Sequence, residues 1–123
     1  MKVLYALFAA AILILGVLHM ATTLWLTSSS VARVWFFGAG MAIALDGVLN
    51  LLNRRYGRAA PGLRAACIGT NLLMICFAGV AGRVSGASVV AEVVTLTVLI
   101  STLVLSAIRS ASIGPHPPRV GAC

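Results

Sequence analysis

Acidic residues are almost absent from this sequence, which contains two of them, Asp46 and Glu92, among 123 residues. Charged residues of both signs amount to 9% of the chain and hydrophobic residues to 61%, whereas soluble domains average about 25% and about 45–50%. A chain this poor in charge cannot cover a folded core with a hydrated surface, and it is too apolar to stay unfolded in water. The composition therefore excludes an ordinary soluble domain and a disordered chain.

Residues that bind metals or form disulfides are also few. The three cysteines are Cys67, Cys76 and Cys123, and the sequence has neither a CxxC motif nor the Cys/His spacing of a zinc site. Cys67 and Cys76 lie in one apolar run, where we interpret them as small apolar helix residues. The sequence therefore predicts no disulfide framework, no metal site and no cofactor.

Four long apolar runs make up most of the sequence, separated by short basic or turn-forming segments. We expect helices at about residues 3–25, 34–53, 65–82 and 86–108. Each is long enough to cross about 30 Å of hydrocarbon at about 1.5 Å per residue. Lipid offers the backbone N–H and C=O groups no hydrogen-bond partner, whereas a helix pairs these groups with one another. The prediction is an all-α integral membrane protein, with one four-transmembrane-helix bundle over residues 1–109 and a flexible cytoplasmic tail over residues 110–123.

The basic residues are distributed unevenly along the chain. The first and third loops contain only Arg33 and Arg83, and the N-terminus, the second loop and the tail contain the other seven of the nine. The seven are Lys2, Arg54, Arg55, Arg58, Arg64, Arg109 and Arg119. Segments rich in Lys and Arg stay in the cytoplasm, so we expect both termini there, in a multi-pass protein of the inner (cytoplasmic) membrane. Basic residues between apolar runs do not form the basic face of a nucleic-acid-binding domain, so no nucleic acid is expected as a partner.

The N-terminal run has an alternative interpretation as a secretory signal peptide, because Lys2 precedes an apolar stretch over residues 3–18. His19 follows that stretch where the small residues of a cleavage site are expected, so the pattern fits poorly. Cleavage would leave three spans and place the new N-terminus outside the cell. We favour the uncleaved chain with four spans.

Polar residues inside the runs are candidate functional residues, because ionisable side chains are expensive in a membrane helix. Asp46 and Asn71 each lie about 11 Å from the cytoplasmic ends of neighbouring antiparallel helices, and Thr102 lies at about 9 Å. Asn50 is one turn from Asp46 on the same helix face. We call Asp46, Asn50, Asn71 and Thr102 the inner layer. The alternative is that the two asparagines only hydrogen-bond between helices.

A second set of polar residues is predicted near the external surface. His19 and Glu92 each lie about 24 Å from the cytoplasmic ends of the first and last helices, which are often adjacent in a four-helix bundle. We expect a His19–Glu92 pair in the bundle interior, with Thr95 on the same face of helix four, and call the three residues the outer layer. The alternative is that His19 and Glu92 are hydrated at the level of the headgroups.

Small residues indicate where helices pack closely. Gly40, Ala44 and Gly47 lie on one face of helix two, at the spacing that brings two helix backbones together in membranes. We interpret these glycines as packing residues and not as a phosphate-binding loop.

Three classes of function fit the sequence. The first is a non-catalytic accessory or binding protein, whose partners are the lipid bilayer and either a second copy or another membrane protein. The second is a small oligomeric transporter or channel that uses Asp46 and a His19/Glu92 pair. The third is a membrane enzyme acting on a lipid-like substrate, with His19 and Glu92 as acid and base. The sequence does not identify a small-molecule ligand.

Overall fold

The computed structural model describes residues 2–25, 27–86 and 88–111, apart from the side chains of residues 2 and 109–111. This part of the chain contains four helices and no strand: α1 (Lys2–Thr22), α2 (Ser30–Tyr56), α3 (Pro61–Ser85) and α4 (Val89–Ala111). All four are long and apolar enough to cross a membrane. The predicted all-α architecture with four membrane-length helices is confirmed.

The two middle helices, α2 and α3, begin earlier than predicted, because local sequence signals fix their first turns. α2 begins at Ser30, because the Ser29 side chain accepts a hydrogen bond from the backbone N–H of Ala32 at 3.4 Å. α3 begins at Pro61, in the first turn, where the missing N–H of proline breaks no helical hydrogen bond. α3 ends before Gly86, whose φ of 66° is left-handed and is easily adopted only by glycine.

The other helix ends differ from the prediction by a few residues. α2 continues through Arg54 and Arg55 to Tyr56, because positive charge is favourable beside the negative end of a helix dipole. α1 ends at Thr22, α4 begins at Val89 instead of residue 86, and α4 extends to Ala111. The predicted tail therefore starts inside α4, and the rest of it, residues 112–123, lies outside the described residues.

α1 and α2 form the closest helix pair. A Cβ atom on Gly16 would lie 2.7 Å from the carbonyl oxygen of Gly40, and one on Gly47 would lie 2.8 Å from the Cα of Leu13. Any side chain at these positions would push the two backbones apart. The small face predicted on α2 is thus a packing face, and Gly16 is its counterpart on α1.

The interior of the bundle is small and has two parts. Ile12, Met74 and Leu99 form an apolar cluster, and a group of buried polar side chains lies on the cytoplasmic side predicted from the basic residues. Large apolar side chains are exposed on every helix, for example Leu7 on α1 and Leu73 on α3, which are 61% and 72% exposed. A surface of this kind suits a chain surrounded by lipid, because in water it would aggregate.

Candidate functional site

Buried polar side chains from three helices meet inside the bundle. On each helix these side chains lie on one face. The residues of α2 are at positions i, i+4 and i+7, and the two residues of α3 are one turn apart. All are at least nine-tenths buried. We call this group the polar cluster; its members are Tyr5, Asp46, Asn50, Asn53, Cys67 and Asn71.

A pair of asparagine amides joins α2 to α3 at the centre of the polar cluster. The Asn50 Nδ2 donates to the Asn71 Oδ1 at 3.3 Å, and the Asn71 Nδ2 donates back to the Asn50 Oδ1 at 3.1 Å. Each Nδ2 also donates to the backbone carbonyl one turn earlier in its own helix, that of Asp46 or Cys67, at 2.9 and 2.7 Å. The structure thus brings two of the inner-layer residues into direct contact.

Tyr5 connects α1 to this amide pair. Its hydroxyl donates to the Asn50 Oδ1 at 3.0 Å and accepts a hydrogen bond from the Asn53 Nδ2 at 3.0 Å. The Cys67 thiol also donates to the Asn50 Oδ1, at 3.2 Å. Three donors, from Tyr5, Cys67 and Asn71, therefore surround one oxygen atom and tie three helices together.

Tyr5 was not among the candidate residues predicted from the sequence. The interpretation of Cys67 as merely small and apolar is wrong, because its thiol belongs to the hydrogen-bond network. The available signal for Tyr5 was its hydroxyl group, since a buried tyrosine normally finds a hydrogen-bond partner. For Cys67 the signal was its position one turn from Asn71 on the same face of α3.

Asp46 is the member of the polar cluster whose side chain makes no hydrogen bond among the described residues; in Asn53 only the Oδ1 lacks a partner, because the Nδ2 donates to Tyr5. The Asp46 side chain is 1% exposed, and neither carboxyl oxygen has a hydrogen-bond partner in the described part of the chain. Asp46 faces the interior but makes no direct hydrogen bond to Asn71 or Thr102, the other inner-layer residues predicted near its depth. Inserting an aspartate at the centre of a membrane helix costs about 2.5–3.5 kcal/mol of free energy on insertion scales. What compensates the charge of the Asp46 carboxyl group therefore requires an explanation.

The two buried hydroxyl groups of α4 donate to carbonyls of their own helix. Thr102 is fully buried, and its Oγ1 donates to the carbonyl of Val98 at 2.8 Å. Ser106 donates in the same way to the carbonyl of Leu103 at 2.8 Å. The proton of Thr102 is therefore committed to a backbone carbonyl and is not available to Asp46.

The structure does not assemble the outer layer. The His19 ring stacks on Phe36 of α2, with ring centroids 3.6 Å apart and an angle of 19° between the planes. Glu92 lies instead across Gly82 of α3, where a Cβ would be 2.8 Å from the Glu92 Cδ. No ion pair joins His19 and Glu92 within the described residues, and Thr95 is half-buried on α4. The physical reason is that α1 packs mainly on α2 and α4 mainly on α3.

An open groove lies beside the connection between α1 and α2. It has a volume of about 340 Å³, and its lining residues are Thr23, Ser30, Arg33, Val34 and Phe37. The Arg33 Nε donates to the backbone carbonyl of Thr23 at 3.2 Å, so Arg33 helps to fix the chain connection. Arg33, the charged residue of the lining, is exposed.

Among the described side chains, no group of three or more His, Cys, Asp or Glu residues could hold a metal ion. The chain matches no protein-family model, and neither the curated proteins nor the solved structures include a significant match. The function is therefore argued from the residues alone.

Proposed function

We propose that this chain is a small multi-pass protein of the cytoplasmic membrane that acts as a non-catalytic accessory or binding protein. It crosses the bilayer four times with both termini in the cytoplasm. The four membrane-length helices and the seven-to-two distribution of basic residues support this arrangement, because basic segments are retained on the cytoplasmic side.

One observation carries the proposal: the polar cluster uses its hydrogen-bonding groups to hold helices together. A catalytic or transport site needs polar groups that converge on a space which a substrate can enter. Here the amides of Asn50 and Asn71, the hydroxyl of Tyr5 and the thiol of Cys67 are bonded to one another. Interhelical hydrogen bonds of this kind contribute about 0.6–2 kcal/mol each in membranes.

The surface left for function is the apolar exterior. A polar network that fixes three helices gives this exterior a defined shape, which a protein needs if it binds a partner within the bilayer. The partner is another membrane protein or a second copy of the chain. The bilayer itself is the remaining partner.

Site-specific photo-crosslinking in the native membrane tests this proposal. A diazirine-bearing amino acid is placed at one exposed apolar position per helix: Leu7, Leu45, Leu73 and Val94, which are 61%, 62%, 72% and 57% exposed. Leu99, which is 2% exposed, is the buried control. We expect protein adducts from one helix face and none from Leu99. Adducts with lipid alone at all four exposed positions would contradict the proposal.

A second candidate function is a small oligomeric transporter or channel, and the observation that favours it is the unpartnered carboxyl group of Asp46. Intramembrane carboxyl groups are typical of ion and proton pathways. Purified protein in liposomes with an internal pH-sensitive dye tests it. A transporter should carry flux above empty liposomes, and Asp46→Asn should abolish that flux. No specific observation favours the membrane enzyme, because its proposed acid and base, His19 and Glu92, are not brought together.

A further inference from the structure

The carboxyl group of Asp46 is enclosed by protein on every side. The residue is 1% exposed, and both carboxyl oxygens lack a hydrogen-bond partner among the described residues. Asn50, one turn away, bonds to the backbone carbonyl of Asp46 and not to its side chain. The Nδ2 groups of Asn50 and Asn71 donate to each other's Oδ1 and to backbone carbonyls of their own helices, so neither amide donates to the Asp46 carboxyl group.

The basic residues of α2 and α3 that come closest in sequence to this level lie toward the cytoplasmic ends of the two helices. On α2 it is Arg54, eight residues from Asp46 and about 12 Å along the axis. On α3, Arg64 precedes Asn71 by seven residues, about 11 Å. Asp46 has no ion pair in the described part of the chain. A bare carboxylate in this surrounding would be strongly unfavourable.

We propose that the Asp46 carboxyl group is a binding site for one monovalent cation, a proton or an alkali ion, inside the bundle. The charge of one carboxylate is balanced by a single positive charge. The other members of the polar cluster carry neutral amides, one hydroxyl and one thiol, so a divalent ion would leave an uncompensated charge. The site is independent of whether the chain is an accessory protein or a transporter.

The geometry of the cluster favours the proton over an alkali ion. An alkali ion needs several oxygen ligands besides the carboxylate. The Asn50 Oδ1 is already surrounded by the three donors from Tyr5, Cys67 and Asn71, and the Asn71 Oδ1 accepts from Asn50. The Asn53 Oδ1 has no hydrogen-bond partner among the described residues, but Asn53 lies seven residues, about 11 Å, from Asp46 along α2. A proton needs only the carboxyl group itself.

Cation binding at Asp46 is coupled to helix packing, because Asn50 joins the Asp46 backbone to the amide pair with Asn71. Loss of the cation leaves a buried charge that draws water into the bundle and loosens this pair. If the folded bundle holds a proton that the unfolded chain releases, stability must fall as the pH rises. The other titratable groups that face the cluster are Tyr5 from α1 and Cys67 from α3, whereas the buried polar residues of α4 carry hydroxyls only.

The direct test uses the fact that Asp46 is the only aspartate in the sequence. Infrared spectra of the full-length protein in nanodiscs, with and without aspartate carrying ¹³C in its carboxyl group, report this side chain alone. A carboxylic-acid band that shifts with the label at neutral pH is expected for a bound proton. A carboxylate band that moves when sodium is replaced by choline identifies an alkali ion. A carboxylate band that responds to neither pH nor sodium overturns the proposal.

A second measurement needs only folded protein. Thermal unfolding of the wild type should show a midpoint that falls by several degrees from mildly acidic to mildly alkaline pH, and Asp46→Asn should remove this dependence. Tyr5→Phe and Cys67→Ala, which remove the other titratable groups, should retain it. If the slope is unchanged in Asp46→Asn and absent in Tyr5→Phe or Cys67→Ala, the site is not at Asp46.

Discussion

Asn50 and Asn71 exchange side-chain hydrogen bonds across the α2–α3 interface, at 3.3 and 3.1 Å. Each amide is at once donor and acceptor, so the pair fixes both the depth and the rotation of the two helices. Removal of one partner leaves the other buried and unsatisfied, which costs about 1–3 kcal/mol. The pair is thus the point at which the bundle is most sensitive to substitution.

We predict that Asn50→Leu and Asn71→Leu each destabilise the protein by about 1–3 kcal/mol. The double variant should lose less than the sum, because the second substitution removes a group that the first had already left unpaired. Unfolding by denaturing detergent in mixed micelles measures all three values. Strict additivity would show that the two amides do not depend on each other.

The hydroxyl of Tyr5 provides a cleaner test of the link to α1. Tyr5→Phe should cost about 0.5–1.5 kcal/mol, because it removes the bonds to Asn50 and Asn53 without creating a cavity. Tyr56→Phe is the matched control, since Tyr56 is 48% exposed at the end of α2. Equal effects of the two substitutions on the unfolding free energy would argue against a structural role for the Tyr5 hydroxyl.

The close contact of α1 with α2 predicts opposite effects for the same substitution at different glycines. Gly47→Ala should destabilise by about 1–3 kcal/mol through overpacking, because its Cβ would lie 2.5 Å from the backbone nitrogen of Leu13. Gly79→Ala is the control, since a Cβ there meets nothing within 4 Å. In a helix interior this change is neutral or stabilising by up to about 1 kcal/mol. A loss of stability at both positions would mean that the α1–α2 contact is not specific.

His19 should be coupled to Phe36 and not to Glu92. Stacked aromatic rings contribute about 0.5–1.5 kcal/mol beyond their buried area, so a double-mutant cycle with His19→Ala and Phe36→Ala should give a coupling energy of this size. The cycle with His19→Ala and Glu92→Gln should give a value near zero. The reverse result would restore the ion pair expected from the sequence.

The depth of polar residues could be predicted from the sequence, because the rise of a helix per residue is fixed. Asp46 and Asn71 were placed at one level in this way, and the structure joins Asn71 to Asn50, one helical turn from Asp46. The number of helices followed equally directly from the apolar runs. The helix ends were less predictable, because the Ser29 cap of α2 and Pro61 in the first turn of α3 moved the starts of these helices by several residues.

The rotation of each helix about its axis was not predictable in the same way. The rotation of a helix depends on which of its faces approaches a neighbouring backbone most closely. For α1 and α2 these faces contain Gly16 and Gly47. His19 therefore turns toward Phe36, although its depth matches that of Glu92. Tyr5 likewise turns into the bundle, where its hydroxyl reaches Asn50, and its depth alone does not show this.

The central claim is that the chain spans the membrane four times with its N- and C-termini in the cytoplasm, and cysteine accessibility in intact cells tests it most directly. Ser28 and Arg58 are exposed and lie in the first and second connections between helices. Ser28→Cys and Arg58→Cys are made separately in a Cys76→Ala, Cys123→Ser background. A membrane-impermeant maleimide should label Ser28→Cys from outside and Arg58→Cys only after the cells are permeabilised. Labelling of Arg58→Cys in intact cells, or of both positions from the same side, would contradict the account.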